Sequence, residues 1–75
     1  MWRVFIPRKL ARKLLRFPPK DKDRVLAAFT TMRHDPYAGD LSHLAGVQYR
    51  RRVGDYRIIF DIDTLHHVVE VKRLE

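Results

Sequence analysis

The sequence predicts an α+β fold: a helical hairpin packed on one face of a mainly antiparallel four-stranded sheet, in the order β-α-α-β-β-β. Three observations predict it. Apolar residues recur at helical spacing between residues 8 and 34 and at period two after residue 49. Pro18-Pro19 divides the helical part in two, since neither proline can donate and each disfavours helix before it. Gly54-Asp55 and Asp63-Thr64 divide the remainder into strands joined by tight turns. Runs of helix followed by hairpin-connected strands bury their apolar faces as two layers.

The elements follow in order. Trp2 to Ile6 reads as a short strand with Trp2, Val4 and Ile6 on one face, ended by Pro7. From Arg8, Leu10, Leu14 and Phe17 fall at i, i+4, i+7 while Arg8, Lys9, Arg12, Lys13 and Arg16 take the other side, an amphipathic basic helix. Asp21 is the expected cap of a second helix. Val25, Ala28, Phe29 and Met32 form its apolar stripe, and His34-Asp35-Pro36 ends it. Tyr37 to Gly46 is expected to be a loop. Strands are expected over Tyr49–Val53, Tyr56–Ile62 and His67–Arg73.

The third of these four strands assigns the faces. Tyr56, Ile58, Phe60 and Ile62 share one parity and are large and apolar, so that face meets the helices, leaving Arg57, Ile59 and Asp61 on the open face. On the preceding strand Tyr49 and Val53 match the core parity, which turns Arg50 and Arg52 outward beside Arg57. Three guanidiniums on two paired strands make a cationic platform whose planar forks suit phosphate oxygens. Like charges on adjacent strands oppose each other, so an anion would relieve them. Asp55, Asp61 and Asp63 are the alternative, internal partners. Arg51 has core parity; it either snorkels at the sheet edge or marks a bulge.

Composition narrows the function classes. The 75 residues carry 16 Lys and Arg against 9 Asp and Glu, a net charge of +7. Residues 1–37 hold ten basic residues against three acidic ones, and residues 38–75 hold six of each, so the whole excess lies in the first half. A basic helix with a separate arginine cluster points to a polyanion, nucleic acid above all. With no cysteine, disulfide scaffolds, zinc fingers and thiol catalysis are excluded. No apolar run approaches the roughly 18 residues that suggest a transmembrane helix, and the N-terminal residues lack a signal-peptide pattern, so a cytoplasmic location is expected. The length suits one domain. At about 70–80 residues one core supplies only ~3–5 kcal/mol. A bound partner would add to that by mass action.

The four histidines suggest no metal site: His66 and His67 are adjacent and would point apart on a strand, while His34 and His43 lie in expected loops. One of His66 or His67 near the platform could serve as a base, against the plainer reading of a solvated strand end.

At Leu44-Ala45-Gly46 and the block Tyr49-Arg50-Arg51-Arg52-Val53-Gly54-Asp55-Tyr56-Arg57-Ile58-Ile59-Phe60 the chain resembles the RelE/ParE family of bacterial toxin–antitoxin toxins. The likeness runs through the first strand, the basic helix, Pro18-Pro19-Lys20-Asp21 and Asp35-Pro36, and it implies one toxin domain over residues 1–75. For RelE-like members it implies a type II toxin that cleaves messenger RNA on the ribosome without metal or cofactor. The 2′-hydroxyl attacks the adjacent phosphate, and preplaced cations stabilise the charge that develops. Carried across, the catalytic positions are Arg50, Arg52, Arg57 and Arg73, with Arg8, Lys9, Arg12, Lys13 and Arg16 contacting ribosomal RNA. The resemblance also implies an acidic antitoxin whose flexible segment wraps the toxin and folds on binding, as a toxin–antitoxin hetero-oligomer. Two alternatives come with it: a non-catalytic gyrase inhibitor of the ParE kind, and a degenerate toxin that only binds its antitoxin. The family pattern has a tyrosine beyond the last strand and a glycine before its last basic pair. The sequence to Glu75 has neither. Without that glycine, parity turns Arg73 toward the core and puts Lys72 on the open face with the RNA-contacting set.

Overall fold

Pro18 and Pro19 make the corner of the helical layer. In the computed structural model, which describes all 75 residues, α1 (Arg8–Leu15) ends just before them and α2 (Pro19–His34) begins on the second. Proline suits a first helical position because its missing N–H would be unpaired there anyway. Asp21, expected as the cap, lies instead within the first turn, where its negative charge still meets the positive end of the helix dipole. Arg12 and Lys13 occupy the last turn of α1, the favourable end for cations.

The strands are β1 (Arg3–Phe5), β2 (Asp40–Ala45), β3 (Gln48–Val53), β4 (Tyr56–Asp63) and β5 (Val68–Leu74), in the spatial order β1-β5-β4-β3-β2. β1 runs parallel to β5 and every other pair is antiparallel. The sheet thus has five strands, not the four expected, and the segment read as a loop supplies the extra one. Asp40–Ala45 offers little apolar alternation: Leu41 and Ser42 are half-buried and the other four residues exposed. A register shift between His43 and Ala45 breaks what period there is. An edge strand with so little buried surface leaves almost no period-two signal. The last strand begins one residue later than expected, because His67 sits in the preceding turn at φ 54°.

One continuous core lies between the layers. Leu14 from α1 and Val25, Ala28, Phe29 and Met32 from α2 pack on Ile58, Phe60 and Ile62 of β4 and Val69, Val71 and Leu74 of β5. These include the whole predicted stripe of the second helix and the inward parity of the central strand. Ile59 points the other way and is nevertheless only 2% exposed. Its cross-strand neighbours are Arg50 and Arg73, and the apolar stems of such residues cover a sheet face while their charged heads stay in water. No helix is long and apolar enough to cross a membrane.

Candidate functional site

The β3–β4 ladder determines what the open face carries. Arg52 is paired directly with Arg57 and Arg50 with Ile59, while β2 brings Asp40 opposite Arg52 and Ser42 opposite Arg50. Directly opposite residues share a face about 4.5–5.5 Å apart at Cβ. Asp40, Ser42, Arg50, Arg52 and Arg57, with Asp55 from the Gly54-Asp55 turn, line one concavity of about 380 Å³ that has no apolar residue in its wall. The three arginines predicted to share a face therefore do so around a common space.

They are also largely unpaired. Arg52 Nε lies 3.5 Å from the Gly54 carbonyl, and Arg57 reaches Glu75 at 4.0 Å with both side chains well exposed. Two of the three carboxylates considered as internal partners are engaged elsewhere, and the third makes no ion pair. Asp61 lies 3.8 Å from Lys72, Asp63 is bound to His66 at 2.8 Å, and Asp55 forms no ion pair within 4.0 Å. The hydrogen bonds from His66 hold the Asp63 carboxyl below its ordinary pKa.

A second basic surface lies where α1 passes the end of β5. Lys9, Arg12, Lys13 and Arg16 recur at i, i+3, i+4 and i+7 along one side of α1. They line a groove of about 650 Å³ with Pro7, Leu10, Lys72, Arg73, Leu74 and Glu75. Arg8 is exposed and stands outside this groove. Arg73, expected with the other three arginines, belongs to the groove and not to the concavity lined by Arg50, Arg52 and Arg57. Nor does it turn coreward: β5 has a bulge opposite Ile59 and Phe60, so Val71 and Leu74 are both buried while Lys72 and Arg73 between them are both exposed. A bulge puts two residues against one and so restores the parity that simple counting loses. Lys72 is committed internally, with Nζ 2.7 Å from Glu70 and 3.8 Å from Asp61. The Glu70 hydrogen bond raises its pKa, with partial burial opposing and the Asp61 charge assisting.

Arg51 keeps the core-side parity with no bulge in β3. Its Nη1 donates to the Ala28 carbonyl of α2 at 3.3 Å, and burial pushes its pKa below the ordinary value. It braces the helical layer and contributes nothing to the platform face. His66 and His67 both lie in the β4–β5 turn, His66 on Asp63 and His67 stacked on Trp2, with ring centres 4.5 Å apart and planes 8° from parallel. Neither lines the arginine concavity.

Sequence reasoning missed Asp40 and Ser42 as wall residues, because a segment read as loop has no parity to assign. It also missed Arg24 of α2, whose Nη1 lies within 3.4 Å of where a Cβ on Gly54 would stand, at the rim of the same turn.

No family model matches the chain, and no curated relative does either. Solved structures do. The archaeal RelE–RelB complex from Pyrococcus horikoshii gives a TM-score of 0.92 at 26% identity, over 99% of this chain and 92% of that one. The toxin–antitoxin complex RelBE2 of Mycobacterium tuberculosis gives 0.82 at 22% identity, over 99% and 95%. A double arginine-to-alanine mutant of Escherichia coli RelE in the free state gives 0.75 at 12%, over 97% and 80%. The resemblance carried by the β3–β4 block extends to the whole chain: its fold is that of RelE.

Proposed function

We propose that this RelE-like chain is the toxin of a type II toxin–antitoxin system and that it arrests translation by cleaving ribosome-bound messenger RNA without a metal. The observation that carries the reading is the placement of Arg50, Arg52 and Arg57 around one polar concavity, where the only ion pair any of them forms is the 4.0 Å contact of Arg57 with Glu75. A scissile phosphate gains negative charge as a pentacoordinate transition state forms, and fixed guanidiniums stabilise that state more than the ground state. The α1 groove, with Lys9, Arg12, Lys13, Arg16 and Arg73, offers a separate surface for the backbone of structured RNA, which positions without reading sequence.

The partner in this reading is an antitoxin. Two of the similar structures are toxin–antitoxin complexes, and the charge of +7 favours an acidic segment wrapped over the basic surfaces. The test is induction of the chain in growing cells, with message ends, ribosome occupancy and gyrase products followed together. Cleavage within translated messages, lost in Arg57→Ala, is expected. Intact messages with DNA damage would replace this reading by gyrase inhibition. Unimpaired growth with capture of an antitoxin would replace it by a binding role alone.

A further inference from the structure

The concavity contains acceptors as well as cations, and they are as uncommitted as the arginines. The side chain of Asp40 forms no ion pair within 4.0 Å and no hydrogen bond, although Arg52 stands opposite it on the neighbouring strand. Ser42, two residues along the same face of β2 and opposite Arg50, also leaves its hydroxyl free. Asp40, Arg52 and Arg57 thus form one row across three strands, with acceptor at one end and donors in the middle and far end. A carboxylate lowers the affinity of such a site for a bare anion, so its presence calls for a ligand that offers a hydroxyl beside the phosphate.

We infer that Asp40 is a catalytic residue of the concavity: it reads the ribose 2′-hydroxyl next to the scissile phosphate and takes its proton. This rests on the reading that the concavity holds a message phosphodiester. A phosphate gripped between Arg52 and Arg57 leaves the ribose on its 5′ side, the one whose O3′ carries it, lying toward β2, about one strand spacing (~4.8 Å) away. There Asp40 accepts the 2′-O–H while Ser42 contributes a second polar contact. In the reaction the proton on O2′ passes to the Asp40 carboxylate, the O2′–P bond forms and the P–O5′ bond breaks. The products are a 2′,3′-cyclic phosphate and a 5′-hydroxyl. The departing 5′ oxygen takes a proton from water, and Asp40 returns its own to solvent. The same contact explains how a site built from arginines would distinguish RNA from DNA, since only the 2′-hydroxyl differs at that position. Asp55, in the turn at the end of the ladder, lies outside the row and is not assigned this part.

The test is cleavage and binding by the full chain on programmed ribosomes. It uses a message with ribose or 2′-deoxyribose at the cleaved position and compares wild type with Asp40→Asn, Asp40→Glu, Asp40→Ala and Arg57→Ala. Asp40→Asn is expected to lower kcat about 10²- to 10⁴-fold with KM within a few-fold, as loss of a proton acceptor does. Asp40→Glu should recover part of the rate. Wild type should bind the ribose message about tenfold tighter than the 2′-deoxy message, a preference that Asp40→Ala removes. Thermal melts confirm that each variant folds, and Asp40→Glu and Asp40→Ala carry the test should Asp40→Asn fail. Undiminished turnover in Asp40→Asn, or a retained ribose preference in Asp40→Ala, overturns the assignment while an effect of Arg57→Ala leaves the platform standing. If Arg57→Ala is equally without effect, the reading of the platform falls first.

Discussion

Arg52 and Arg57 stand directly opposite each other across the β3–β4 ladder, two guanidiniums on one face whose only ion pair is that of Arg57 with Glu75 at 4.0 Å. Facing like charges destabilise a strand pair by about 0.2–1 kcal/mol. The exposed Arg57–Glu75 pair offsets little of it, exposed ion pairs being worth about 0–1 kcal/mol. Replacement of Arg57 by alanine is therefore expected to leave thermal stability within about 0.5 kcal/mol of wild type or slightly above it. The same change should reduce message cleavage about 10²- to 10³-fold. Raising the salt concentration should narrow the stability difference between Arg52→Gln and wild type, because it screens the repulsion that the substitution removes. A melt and a cleavage assay on the same preparations check both. A large loss of stability in either variant would mean that the pair is structural.

How much of this was legible in the sequence depends on how strongly each residue's neighbours constrain it. The helix stripe of Val25, Ala28, Phe29 and Met32 and the inward set Ile58, Phe60 and Ile62 were readable because burial imposes a period on them. The outward arginines followed by parity from that same set. β2 was not readable, because an edge strand with one half-buried leucine has no period to detect, and Asp40 and Ser42 were lost with it. Arg73 was misplaced for a different reason. Parity counts residues, and the bulge in β5 adds one without any glycine or proline to announce it.

The Tyr56 hydroxyl donates to Asp21 at 2.9 Å, fastening the start of α2 to the first residue of β4, while its ring stacks on Phe17 at 4.3 Å. The hydrogen bond to Asp21, then partial burial and the charges of Asp21 and Asp55, raise the Tyr56 pKa above the ordinary 10.0. A raised folded value favours the protonated phenol in the native state. The resulting stability is whole below pH 10 and is lost as pH climbs through the raised value. Tyr56→Phe is expected to abolish that alkaline decline while keeping the ring stack, and Asp21→Asn to reduce it. Denaturation midpoints between neutral and strongly alkaline pH would read the difference. Identical alkaline profiles for wild type and Tyr56→Phe would exclude the bond as their cause.

Trp2, the single tryptophan, lies flat on His67, and the Arg3 N–H donates to the His67 carbonyl at 3.0 Å. The β4–β5 turn thereby anchors β1 to the sheet edge. An aromatic stack of this kind adds about 0.5–1.5 kcal/mol beyond its buried area. His67 also holds a positive φ of 54°. Glycine there relieves the backbone and loses the stack; alanine loses the stack and keeps the strain. His67→Ala is therefore expected to be the less stable of the two, and both should shift the emission of Trp2. Tryptophan fluorescence during unfolding gives both quantities in one experiment, and an unchanged spectrum in both variants would show that the stack is not populated in solution.

The Arg51 guanidinium and Gly39 meet at a contact that no larger residue tolerates. A Cβ on Gly39 would stand 2.6 Å from Arg51 Nε and 2.9 Å from its Cζ, and Gly39 has φ +87°. A side chain's far end can usually swing away from such a clash, but this one is tied to the Ala28 carbonyl at 3.3 Å. Gly39→Ala therefore has two separable penalties: backbone strain of about 1–3 kcal/mol for a non-glycine residue at positive φ, and displacement of Arg51 from α2. In a chain already carrying Arg51→Ala only the first remains, so the two substitutions should be less than additive, with a coupling of about 0.5–3 kcal/mol. Denaturation of the four chains of the cycle measures it. Strict additivity would mean that Arg51 moves aside freely and that its bond to α2 contributes nothing to holding the helical layer on the sheet.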